Sequence, residues 1–552
     1  SIHPEKLISK IEKLAFDNVS VFWELFSYFE LYKKTDRILF VKILNTYPSH
    51  IRYILKLKQL IQYYNFEIRT FLLTYNESAE LLLSHYEEKT TGNALEYIFP
   101  KSLTESDKHT IIAQYLESEE PNLNYVDLIR NSKHLKLTSK ILLRAKQIAE
   151  IINDKYLNDS NATKIEVGAS LDMSQSEPVI FDHKGTETNY IYGGLYFDSL
   201  LTDNELFDTF KNLFIYTGRD GLIDLVNKNA EMDNLEKVFM KSKNEYTTGF
   251  QFLSKNMLSL TQLGIFKHYL IRKNRSIEEF IENYVTHYFV HELNMKGLIF
   301  KMPNPAFTSS DKIRLIAPEM DYLLKQFKCF VMEGNIDHDL LQIDSTPIHF
   351  SSIPSLLHKK YLFSNHETIR MLGNQFFDPY SILTYRDGSK RNKNLFETLL
   401  TESLLKSSLE NYQQDFLNHL IEKGFLFINQ MDEIKMVNPV MIYIAGLLYK
   451  NGCLSYWHYS QAIQIQIDRL IKDGLLESSS TLFTDDEISY LNYHLNKKEF
   501  SNSLDLRNKY MHGSNNRSKQ VQDNDYLYFL RTLILILMKL KDDLELNLIH
   551  KH

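Results

Sequence analysis

The run Leu533-Ile534-Leu535-Ile536-Leu537-Met538, near the middle of residues 523–548, decides how the rest of the chain is read. Six consecutive apolar residues cover more than one turn of a helix, so they point in every direction. A helix apolar all round must be covered all round. Residues 523–548 therefore read as the central helix of a bundle, or as a helix shared with a second copy of the chain. Just upstream, Pro439 suits the first turn of a helix that stops at Gly452. Residues 457–473 make a second helix, with Ile463, Ile467, Leu470 and Ile471 on one face and Gly474 as terminator. Thr484-Asp485-Asp486-Glu487 is a capping box that opens a third, and residues 503–512 form a short fourth. Residues 436–552 thus read as a helical bundle.

Outward from that bundle the chain stays mainly α. Residues 1–160 read as an N-terminal helical domain. Leu7, Ile8, Ile11 and Leu14, then Val21, Phe22, Leu25, Phe26 and Phe29, recur at helical spacing, and a second helical block covers 106–156. Residues 161–200 read as a β-rich insertion, because Ile165, Val167, Ala169 and Leu171 alternate with more polar neighbours and the alternation returns at 190–197. In residues 201–435 helical periodicity resumes through 205–226 and 277–293. Twice in this region a helix ends in Lys-Gly and runs into apolar alternation, at Lys296-Gly297-Leu298-Ile299-Phe300 and Lys423-Gly424-Phe425-Leu426-Phe427. The second continues into 434–437 with the outline of a winged-helix hairpin, although glycine is also the ordinary way to stop a helix before a strand.

Composition agrees with a helical, multi-domain protein. The chain has 552 residues, with only 18 glycines and 12 prolines, which argues against collagen-like, linker-rich and turn-dense all-β chains. Its 63 basic and 70 acidic residues leave a net charge of −7, so no bulk basicity marks a nucleic-acid binder. Cys329 and Cys453 form no CxxC pair and support neither a disulfide framework nor a thiolate zinc site. No apolar stretch reaches the ~20 residues that span a bilayer. Residues 1–13 are polar and amphipathic and do not read as a signal peptide. A cytoplasmic protein without membrane contact is expected.

The stretch most informative about function is Leu504-Asp505-Leu506-Arg507-Asn508-Lys509-Tyr510-Met511-His512-Gly513, which contains Arg-Asn-x-x-x-His just before the long apolar helix. It resembles the HEPN superfamily, many of whose members are metal-independent endoribonucleases marked by Arg-x4–6-His with a polar residue, often Asn, after the Arg. The wider context is similar to bacterial HEPN proteins of phage defence and abortive infection. The resemblance covers about a fifth of the chain, and its specific part is about ten residues. It implies a HEPN-like bundle over 436–552, no cofactor and no metal, and a homodimer that brings two copies of the motif together.

The residue types fit that chemistry. RNA carries its own nucleophile, the 2′-hydroxyl. His512 titrates near neutrality and can relay protons as that oxygen attacks phosphorus. Arg507 would neutralise charge on the phosphorane oxygens, and Asn508 would orient His512 or a phosphate oxygen. On an ideal helix Asn508 and His512 share a face while Arg507 lies about 140° away from His512, so a two-fold dimer would complete a site that one chain spreads out. Lys497, Lys498, Lys509, Arg517 and Lys519 flank the motif as candidate RNA contacts. With Arg507 they bring 497–519 to six basic residues against two acidic ones, Glu499 and Asp505. These features predict an endoribonuclease of an anti-phage or toxin-type system, acting on RNA such as tRNA, with a phage trigger or regulatory protein as further partner. The alternatives are a catalytically silent HEPN protein that dimerises and senses a partner, and a DNA-binding regulator using winged helices.

Other constellations are weaker. Arg130, Lys133, Lys136, Lys140, Arg144 and Lys146 form a basic stripe that reads more simply as a solvated face. His287 and His291 have metal-ligand spacing without a third ligand nearby. Asp337-His338-Asp339 reads as a helix start, and residues 386–393 as a basic, solvated turn. No Walker A, GxGxxG or GxSxG pattern occurs.

Overall fold

Capping residues set where many of the helices begin. Asp36, Thr104, Asn122, Thr202, Ser276, Thr308 and Thr484 each accept a hydrogen bond from a backbone N–H in the first turn that follows. The computed structural model describes residues 18–89, 97–157, 166–232, 236–237, 240–343, 346–384, 394–511 and 518–550. It is a mainly α structure with three small sheets among the described residues, and no described helix is long and apolar enough to cross a membrane. The chain divides into two compact units. One takes the described residues of Ser1–Lys164, Val238–Thr247 and Lys497–Ser503, the other those of Ile165–Lys237, Thr248–Asn496 and Leu504–His552.

The first unit is a stack of short helices around Trp23, Phe40, Ile54, Tyr64 and Leu82. Two of its three chain segments meet at Glu87, which is fully buried yet held below the ordinary carboxylate range. Burial pushes its carboxyl up, but donors from Ser132, Leu135, His134 and Lys133 more than offset that. Asn244 adds a bond of 2.7 Å to the same carboxylate. Half of the basic stripe is neutralised locally: Arg130 pairs with Asp127, Arg144 with Glu117 and Lys146 with Glu150. Lys133 donates to the carbonyls of Lys498 and Glu499.

The second unit opens with the β-rich insertion. Strands β1 (Glu166–Asp172), β2 (Val179–Lys184) and β3 (Glu187–Gly193) form a sheet in the order β1-β3-β2, with β1 parallel and β2 antiparallel to β3. Gly193 is required there, since a Cβ would lie 2.2 Å from the Glu177 carbonyl oxygen. Two expectations are corrected nearby. The helix expected over 205–226 stops at Asn212, and Thr217 and Ile223 instead bridge a glycine-containing turn. Residues 298–300 form no strand after Lys296-Gly297; the Gln326 side chain takes both the N–H and the C=O of Ile299, doing the work of a neighbouring strand.

A structural repeat fills residues 395–479. The helix Leu395–Thr401 is followed by an extended segment at Leu404, a 3-10 turn Lys406–Ser408, the helix Asn411–Glu422, Gly424 at φ 75° and a strand. Fifty positions on come the end of the helix Pro439–Asn451, an extended segment at Leu454, a 3-10 turn Tyr456–His458, the helix Gln461–Lys472, Gly474 at φ 72° and another strand. Leu404, Leu417, Leu420 and Leu426 in the first copy, and Leu454, Ile467, Leu470 and Leu476 in the second, are buried in one core. With β4 (Tyr361–Phe363), β5 (Leu426–Ile428), β6 (Ile434–Met436), β7 (Leu454–Ser455) and β8 (Glu477–Ser479) defined, the copies differ in one respect. In the first, β6 lies between β5 and the segment at Leu405; in the second, β4, from earlier in the chain, takes the equivalent middle place between β7 and β8.

The final helix, Lys519–His550, settles the question its apolar run raised. Leu533 to Leu537 are all fully buried, covered by the helices Phe250–Arg272, Ser309–Glu333 and Asp485–Leu495 of the same chain. No second copy is needed to cover it. The bundle therefore draws on residues well outside 436–552, and the 395–479 repeat forms a separate core. The same helix buries charges, each with a partner. Lys539 reaches Glu487 at 2.8 Å, Asp543 takes Lys360 at 2.6 Å as well as Ser355, Lys541 meets Asp208, and His458 bonds Asp542 at 3.0 Å. Arg531 is fully buried with no carboxylate on it among the described residues; His494 accepts from it at 2.6 Å, and burial together with Arg531 drives the His494 pKa well below its ordinary value.

Removing one partner of a fully buried pair strands the other charge. Asp543→Ala should lower the unfolding free energy by about 3–5 kcal/mol, and Asp543→Leu combined with Lys360→Met by much less. Urea unfolding of the single and double variants checks this.

Candidate functional site

Arg507, Asn508 and Lys509 lie on a short helix, Leu506–Met511. Asp505, just before it, adopts φ 52° and so turns the chain into the helix, and its carboxylate accepts from Asn508 Nδ2 at 2.8 Å. Leu506 and Tyr510, four apart, are buried and pin the helix down. Tyr510 Oη donates to Asp525 in the second turn of the final helix at 2.8 Å, and Arg314 Nε donates to the Tyr510 carbonyl at 3.0 Å. Two long helices thus hold the motif helix from both sides.

Arg507 is half-buried, and a terminal nitrogen donates to Asp321 Oδ1, on the Ser309–Glu333 helix, at 2.6 Å. Burial pushes the Asp321 carboxyl up and Arg507 pulls it down; burial prevails, leaving it above the ordinary carboxylate range. The Nε of Arg507 is buried and has no hydrogen-bond partner. The guanidinium is therefore oriented by a carboxylate through one terminal nitrogen, and its half-buried face is what remains for a further anion. Asn508 is exposed. His512 and Arg517 lie outside the described residues, as does the basic stretch 386–393. The flanking lysines divide between the units: exposed Lys497 and Lys498 belong to the first, half-buried Lys509 and exposed Lys519 to the second.

The chain matches no protein family model, no curated protein and no solved structure. The HEPN resemblance accordingly stands on the motif and its helical setting.

Elsewhere, His287 and His291 are exposed on a π-helical turn with their rings 5.2 Å apart, and no group of three metal-ligating side chains occurs among the described residues. Asp337 caps the helix His338–Ile343 by accepting from the Leu340 N–H. Asp321 escaped the sequence reading. It sits 186 positions from Arg507 on an ordinary amphipathic helix, and nothing local distinguishes it from other acidic residues on that helix.

Because its folded pKa is raised, Asp321 favours the folded state most below its unfolded pKa of about 3.9, and that contribution is lost as pH rises through the folded value. Asp321→Asn should therefore change the unfolding free energy at pH 7 by less than about 1 kcal/mol, since a half-exposed pair contributes little. A loss of about 3 kcal/mol or more in chemical denaturation would show instead that the pair holds the fold together.

Proposed function

We propose that the chain is a metal-independent endoribonuclease of a bacterial anti-phage or toxin-type system, cutting RNA through its own 2′-hydroxyl. The observation that carries this reading is Arg507, half-buried and oriented by Asp321, on a helix that leads directly towards His512 in the sequence. In this account Arg507 takes the charge that develops on the phosphorane oxygens. His512 relays the proton from the 2′-hydroxyl, and the exposed Asn508 orients a phosphate oxygen or the imidazole. Asp321 positions Arg507 without touching substrate. Lys497, Lys498, Lys509, Arg517 and Lys519 are the proposed backbone contacts to RNA, whose affinity should fall with salt. No cofactor enters the scheme.

The HEPN resemblance also implies that two copies of the motif meet in a homodimer, and that the enzyme works in the cytoplasm under a trigger or regulatory partner. Since the final helix is covered within one chain, the dimer rests on the resemblance and on the spread of Arg507 and His512 round an ideal helix. A second reading, a silent HEPN protein that binds a partner, is favoured by one observation: Asp321 already balances the Arg507 charge.

Expression in bacteria separates the two. The nuclease reading expects growth arrest and RNA fragmentation from the wild type, with both lost in Arg507→Ala and His512→Ala. Equal growth inhibition by wild type and variants, with RNA intact, supports the binding reading.

A further inference from the structure

A groove in the second unit has no part in that chemistry. Its first chamber, about 700 Å3, is walled by aromatic rings, among them Phe377, Phe396, Tyr443 and Tyr449. Phe377 and Phe396 have ring centroids 5.1 Å apart, and Phe396 and Tyr443 lie 6.2 Å apart, each of these two pairs inclined by 30°. Gly446 makes room for this wall: a Cβ there would lie 2.1 Å from the Phe377 ring. A second chamber of about 320 Å3 shares Tyr443, Leu447 and Lys450 with the first, so the two adjoin along that wall.

The second chamber is polar and cationic. Arg219 and Lys450 line it, both exposed, and among the described residues neither has a carboxylate partner. Lys228 also lines it but is committed to Asp224, which Lys255 neutralises further. The remaining acid, Asp220, caps the Leu222 N–H and accepts weakly from Asn451. His458 enters from the side with Nε2 held by the half-buried Asp542. Gly221 is needed at this junction, because a Cβ would fall 2.6 Å from Asp542 and 2.7 Å from His458. The local signal in the sequence is Gly218-Arg219-Asp220-Gly221, two glycines around a charged pair in a glycine-poor chain.

Flat rings in one chamber and unpaired cations in the adjoining one match a ligand with a planar π-face and an anionic end. We propose that this groove binds a free nucleotide, with the base against the rings around Tyr443 and the phosphates on Arg219 and Lys450. Stacking on aromatic rings tolerates any base, and an arginine fork with a lysine point charge suits phosphate oxygens. The volume lies within the ordinary range of small-molecule sites.

Isothermal titration calorimetry of the full chain with ADP, GDP, CDP and UDP tests this without reference to RNA cleavage. At least one should bind at one per chain, and the matching nucleoside and orthophosphate should each bind about tenfold or more weakly than the nucleotide. Arg219→Ala and Lys450→Ala should each weaken nucleotide binding by about tenfold while leaving the nucleoside unaffected. Both side chains are exposed and free of ion pairs, so unfolding midpoints should match the wild type; Lys450→Gln serves as a further variant if either does not. Absence of binding by all four nucleotides, orthophosphate binding as tightly as the nucleotide, or wild-type affinity in both folded cation variants would overturn the proposal.

Discussion

A helix that is apolar on every side and also carries buried ions constrains everything around it. Leu533 to Leu537 can be buried only if neighbours approach from all directions, and Arg531, Lys539, Lys541, Asp542 and Asp543 can follow only if each neighbour brings a partner. Those partners arrive from distant parts of the chain: His494 and Glu487 from one helix, Lys360 and Ser355 from the approach to β4, His458 from the repeat and Asp208 from the helix Asp203–Asn212. Apolar area supplies the driving force, while the ion pairs select one way of satisfying it. Glu87 plays the equivalent part in the first unit, where its carboxylate ties the loop at Ser132–Leu135 to Asn244 of a second segment.

The motif helix inherits its position from this frame. Leu506–Met511 is too short to hold itself in water, and it persists because Leu506 and Tyr510 are buried and Asp525 and Arg314 grip Tyr510. Arg507 is thereby presented to Asp321 on a helix that packs along the final one. The two proposed sites sit in the same unit and draw on the same device, a cation or imidazole steadied by a carboxylate: Arg507 by Asp321, and His458 by Asp542, whose own carboxyl is raised by burial but brought down to about 2 by His458 and the nearby lysines.

The sequence disclosed the elements better than their partners. Pro439, Gly452, Gly474 and the Thr484–Glu487 box marked helix ends through local backbone chemistry, and β1 and β3 showed in their alternation. The apolar run announced a central helix. It could not say that helices 250–272 and 309–333 would cover it, because an amphipathic face records that it is buried and not against what. The same limit hid Asp321 and the nucleotide groove, whose residues come from 218–237, 377–397 and 443–459. The fifty-residue repeat went unread, since what recurs is a handful of apolar core positions and two glycines while its exposed residues differ.

The endoribonuclease account is tested most directly by incubating purified wild-type protein with tRNA in EDTA and characterising the new ends. The account predicts cleavage without divalent metal, leaving 2′,3′-cyclic phosphate or 2′- or 3′-phosphate, and a rate at least about a hundredfold lower in His512→Ala, the usual contribution of a general acid–base group. Cleavage that EDTA abolishes, 3′-hydroxyl products, or a His512→Ala protein as fast as the wild type would contradict it.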